Sequence, residues 1–109
     1  MKPTRATTNL ADWMAAIGEP HRIDVLRELA KGSRNVTNLS QALGVEIANV
    51  SHHVRLLLGA KLVDCTKQGR FMVYRLAPGA EVLPGGVLRL CHAPSGATID
   101  IPPETPTGG

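Results

Sequence analysis

The chain has 109 residues, 43% of them hydrophobic but with one Trp, one Tyr and one Phe, which allows a single domain with a modest aliphatic core and excludes a larger assembly of domains. Its net charge of +3 is uneven, with 11 Lys/Arg against 6 Asp/Glu up to residue 78 and 1 against 3 beyond it, and a basic body with a mildly acidic end suits a polyanionic partner. Two cysteines without CxxC spacing exclude a disulfide framework, while the polar start MKPTRATTNLADW and the lack of a membrane-length apolar run predict a cytoplasmic protein with no membrane partner.

Residues 1–8 are polar and are predicted to be disordered. A first helix is expected to start near Asn9, a suitable N-cap, and to run through Leu10, Trp13, Met14 and Ile17 to Gly18. Pro20 opens a second helix where its missing N–H costs nothing. Ile23, Leu26, Leu29 and Ala30 form the inward stripe of that helix, Val25 lies beside it, and Gly32 ends it. After a polar turn at Ser33, Arg34 and Asn35, Thr37 is expected to cap a third helix packed through Leu39, Ala42 and Leu43 and stopped by Gly44. The fourth helix is expected to bury Ile47, Val50, Val54 and Leu57 at helical spacing. Residues 62–66 and 70–76 read as a β-hairpin around the basic tip Lys67-Gln68-Gly69.

Composition changes at Pro78-Gly79, and residues 87–91 and 97–101 read as a second small hairpin about Pro94, Ser95 and Gly96. The fold class expected is α+β, mainly α. A winged helix-turn-helix domain spans 9–78, a C-terminal β-hairpin appendage spans 79–102, and a disordered tail covers 103–109. A core this small gains from burying further surface in a homodimer.

The fourth helix is the informative element. With its apolar stripe turned inward, Ala48, Asn49, His52, Arg55 and Leu56 point outward, and Ser51 and His53 fall at the flanks, because successive residues turn by about 100°. Asn pairs with an adenine edge through two hydrogen bonds, and His donates to guanine or phosphate. Ser51 and Arg55 suit phosphate anchoring, which fixes register without reading sequence. The alternative is a solvated polar face. No P-loop, GxGxxG, nucleophile elbow or HExxH is present, so neither an enzyme nor a cofactor is expected.

In order and spacing, Gly18-x-Pro20-His21-Arg22-x-x-x-Leu26, Leu39-x-x-Ala42-Leu43-Gly44-Val45, Val50-Ser51-His52-His53-Val54-x-x-Leu57, Leu62-Val63 and Gly69-Arg70-x-x-x-Tyr74-Arg75-Leu76 resemble the ArsR/SmtB-type winged-helix repressors of prokaryotes. The resemblance covers about residues 9–78. It implies homodimers that bind imperfect palindromes in double-stranded promoter DNA and repress until a signal releases them. Glu46 stands where that family usually caps its recognition helix with Ser. Lys61 stands where a helix-ending Gly is common, with Gly59 two residues early. Asn35-Val36-Thr37-Asn38 occupies the place of the family's paired metal-sensing cysteines, and the long C-terminal helix that often carries ligands and half the dimer interface is replaced by a Gly/Pro-punctuated segment.

Asn38 and Gln41 on the third helix are candidates to touch the DNA backbone beside the groove, as are Lys67, Gln68 and Arg70 on the wing. Solvation is the alternative for each. Leu10, Trp13 and Met14 form an apolar patch that fits either a dimer interface, as in the family, or the ordinary core. His52 and His53 diverge too far on a helix to share an ion, and His21 reads as a surface residue, so no metal site is expected. Cys65 and Cys91 are candidates for a thiol or metal switch, against the simpler reading as apolar fillers of strands. No small-molecule site is identifiable. A winged-helix interaction module without DNA binding is the competing function.

Overall fold

The computed structural model describes residues 1–104. Helix α1 (Arg5–Ile17) begins four residues before Asn9, because Thr4 has the extended backbone of a cap and its hydroxyl accepts from the Thr7 N–H at 3.1 Å. Residues 5–8, expected to be disordered, are therefore the first helical turn, and Asn9 lies inside the helix. In α2 (Pro20–Leu29) Glu19 is the cap. Its carboxylate accepts from the Arg22 N–H at 3.0 Å, and Pro20 takes the first helical position. Val25, Leu26 and Leu29 are buried, while Ile23 and Ala30 pack more loosely against the same core.

The segment expected to be a polar turn contains a two-residue strand, β1 (Arg34–Asn35). Asn35, not Thr37, caps α3 (Val36–Leu43), its side-chain oxygen accepting from the Asn38 N–H at 2.7 Å. Leu39 is fully buried but Ala42 is exposed, so α3 is anchored more narrowly than its sequence suggests. Gly44 ends α3 in the left-handed conformation at φ 65.

Helix α4 (Ile47–Gly59) leads into the strands β2 (Val63–Gln68) and β3 (Phe71–Leu76). Lys67 and Gln68 belong to β2, paired with Met72 and Phe71, so the turn itself is Gly69-Arg70, with Gly69 at φ 61. The first sheet is antiparallel in the order β1-β3-β2. The C-terminal segment adds a third strand to the hairpin expected there. Strands β4 (Ala80–Val82), β5 (Leu88–His92) and β6 (Ala97–Ile101) form an antiparallel sheet in chain order.

That second sheet shares the core of the helices. Leu88, Leu90 and His92 alternate inward along β5, and the leucines join Trp13, Leu26 and Leu57 in one apolar core. His92, 5% exposed, fastens the sheet to α1: its Nε2 lies 2.6 Å from Asn9 Oδ1 and its Nδ1 2.7 Å from Ser95 Oγ. Arg27 of α2 also donates to the Pro102 carbonyl at 3.0 Å. No helix among the described residues is long and apolar enough to cross a membrane. Of the tail expected to be disordered, residues 105–109 lie outside the described residues.

Candidate nucleic-acid interface

Helix α4 packs against α3 and the first wing strand, β2. Pairing of Arg34 with Tyr74 and of Asn35 with Val73 ties the start of α3 to the wing strand β3. The Ser40 hydroxyl donates to the Val45 carbonyl, holding the turn that feeds α4. Glu46 caps α4 without a side-chain hydrogen bond, leaving its first N–H groups to the Glu46 carbonyl and to solvent.

Val50, Val54 and Leu57 hold one side of α4 in the core. Ile47, expected to belong to that buried stripe, is 51% exposed in the first turn of α4. Ala48, Asn49, His52 and Arg55 are all exposed, and Ser51 is half-buried at the flank. Leu56 shares the outer side of the helix with His52 and Asn49 but lies one and two turns farther along. With Arg55, Ala16, Val63, Ala77 and His92 it lines a cavity of about 1000 Å³ between α1, the end of α4 and the second sheet.

His53, at the flank of α4, meets a second helix. Its side chain is 13% exposed and packs against the start of α2, where Arg22 Nη1 lies 3.2 Å from its Nδ1. A guanidinium only donates, so this nitrogen accepts and keeps its lone pair toward Arg22. Burial lowers the His53 pKa, reinforced by Arg22 and opposed by Glu19, which favours the neutral ring. Burial alone would raise the Glu19 carboxyl. Hydrogen bonds from His21 and the Arg22 N–H, with the adjacent His53, outweigh it and bring the pKa from 4.5 down to about 2. This cluster went unread in the sequence because Arg22 and His53 lie 31 residues apart, and only the packing of α4 on α2 joins them.

On the wing, Lys67, Gln68 and Arg70 are all exposed, beside Phe71 and Met72, which are exposed too. Asn38 and Gln41 are exposed on α3 and, with Ser33 and Arg34, line a shallow groove of about 540 Å³. Of the apolar patch on α1, Trp13 is 4% exposed and belongs to the protein's own core, so only Met14 and part of Leu10 remain accessible to a second chain. Among the described residues Trp13 Nε1 has no hydrogen-bond partner, and its ring sits 5.3 Å from that of His92. Cys65 faces Tyr74 across the wing, where burial and then the thiol raise the phenol pKa; Cys91 is exposed. Among the described residues neither cysteine joins a cluster of three possible metal ligands.

A family model described as a helix-turn-helix domain matches residues 17–66. The HTH-type transcriptional regulator NmtR of Mycobacterium tuberculosis is 36% identical over 73 residues, covering 67% of this chain and 61% of that protein. The chain thus spans about three-fifths of that relative's length. A crystal structure titled as a possible transcriptional regulator for arsenical resistance is 36% identical, with a TM-score of 0.59 over 62% of this chain and 70% of its own. A solution structure from Mycobacterium bovis, described as the homodimeric winged helix-turn-helix DNA-binding domain of a possible ArsR-family regulator, is 25% identical. Its TM-score is 0.63, with 71% of this chain and 74% of that one covered.

Proposed function

The chain belongs to the ArsR/SmtB family of winged helix-turn-helix regulators, and from that membership we propose that it is a sequence-specific DNA-binding transcriptional repressor, acting as a homodimer on a palindromic operator. The observation that carries this reading is the division of α4. Val50, Val54 and Leu57 fix one side in the core, while Asn49, His52 and Arg55 on the rest of the helix are exposed. A rigid helix with a free hydrogen-bonding side is what the major groove accommodates.

In this arrangement Asn49 reads an adenine edge and His52 a guanine or a phosphate. Arg55 and Ser51 grip the backbone. Asn38 and Gln41 lie beside the groove, with Ala48 against the bases, and Lys67, Gln68 and Arg70 reach the flanking phosphates. Two copies would set their α4 helices about 34–36 Å apart, one turn of the duplex. Exposed Met14 and half-buried Leu10 on α1 offer a pairing surface, and the homodimeric Mycobacterium bovis relative supports a dimer.

The test is fluorescence anisotropy of the full chain on duplexes from the region upstream of its own reading frame and on scrambled duplexes, across a salt series. Specific binding that weakens steeply with salt is expected. Asn49→Ala should cost about 1–3 kcal/mol at a single base pair and leave the salt slope unchanged. Equal losses on matched and scrambled DNA would remove Asn49 from readout. A dimer that binds neither duplex would make the protein an interaction module.

A further inference from the structure

Glu19, His21 and His53 form a cluster that DNA recognition does not use. One possible ligand atom from each lies within 4.8 Å of the other two. His21 Nδ1 is 2.9 Å from Glu19 Oε1, and His53 Nδ1 is 3.6 Å from Glu19 Oε2. The two rings are nearly parallel, stacked at 5.4 Å and 21°, so both present a nitrogen to the same carboxylate. We propose that these three side chains bind a divalent transition-metal ion of the zinc, cobalt or nickel class.

The donor set and the spacing both fit. Two imidazoles and a carboxylate suit these borderline ions, and bonds of about 2.0–2.1 Å to a tetrahedral ion put neighbouring donor atoms about 3.3 Å apart. The two Glu19 separations straddle that spacing, so modest side-chain rotation closes the site. The donors come from two distant segments, the α1–α2 junction and the middle of α4, and the backbone there is held by regular structure. Glu19 is fixed as the α2 cap and His53 by its helix. His21 is half-exposed, which leaves the remaining coordination positions open to solvent.

Arg22 is the competitor. Its Nη1 already directs a positive charge to His53 Nδ1, and its Nε and Nη2 hold the Ala16 and Ala15 carbonyls at the end of α1. A metal takes over the lone pair that the guanidinium now occupies. The Nδ1 proton of His21, which faces a carboxylate able only to accept, relocates to Nε2 as the ring turns to ligand. Binding is therefore weaker than in a site built of thiolates and needs no cysteine.

The experiment is a titration of the chelator-treated full chain with cobalt(II), read by visible absorption, with zinc displacement as a second reading. One equivalent per chain with the intense d–d bands of a low-coordinate site is expected. His21→Ala, at an exposed position, should weaken cobalt binding on the order of tenfold or more, while the double variant Cys65→Ser/Cys91→Ser should bind as the parent does. Circular dichroism on each variant verifies that the fold is kept. No saturable absorption, an unchanged His21→Ala titration, or loss that follows the cysteines would overturn the assignment.

Discussion

Lys61 holds a backbone conformation, φ 61, that side chains other than glycine and asparagine seldom adopt. The cause lies in the end of α4. The Leu62 N–H bonds to the Leu57 carbonyl at 3.1 Å and the Lys61 N–H to the Leu58 carbonyl at 3.0 Å, the paired closure of a helix that ends in a left-handed residue. Leu57 and Leu62, both fully buried, lock that closure from the inside, so the lysine tolerates the strain. Lys61→Gly should therefore raise stability by about 0.5–1 kcal/mol, seen as a higher melting temperature with DNA binding unchanged. An unchanged or lower melting temperature would show that the packing of Leu62, and not the backbone conformation, decides the energy. The same scale separates Asn9 from its expected role as cap. Thr4 meets that need, and Asn9 instead supplies the only oxygen within reach of His92 Nε2 among the described residues.

At the scale of elements, α4 is anchored well at its end and poorly at its start. Glu46 supplies charge near the positive helix terminus but no side-chain hydrogen bond. Glu46→Ser should gain about 1 kcal/mol through capping and remove a negative charge beside the proposed DNA face. Denaturant melts and anisotropy should then both move upward. A stability gain with weaker DNA binding would mean that Glu46 itself contacts the duplex. The four helices, the wing and the turns at Gly44 and Gly69 were legible in the sequence, since apolar spacing and glycine position report local geometry directly. Ile47 was misread for the same reason. Helical spacing says which residues share a side, not which of them a neighbour covers.

At the scale of the whole molecule, the C-terminal sheet extends the core that the helices and the wing build. Leu88 and Leu90, almost wholly buried, close the core over Trp13, and His92 and Arg27 add polar ties on either side. Burying each such leucine contributes about 1.5–3 kcal/mol, a sizeable part of the 5–15 kcal/mol typical of a domain. A chain ending at Pro78 should lose cooperative thermal unfolding or melt far below the full protein. Melting within a few degrees of the parent would reduce the sheet to an accessory. The sequence alone determined the winged helix-turn-helix order and the polar side of α4, because both follow from repeats within one element. Only the tertiary structure decided that His53 meets Glu19 and His21, that Trp13 is interior, and that the last strands are core. Each of these depends on contacts between segments tens of residues apart, for which local periodicity carries no information.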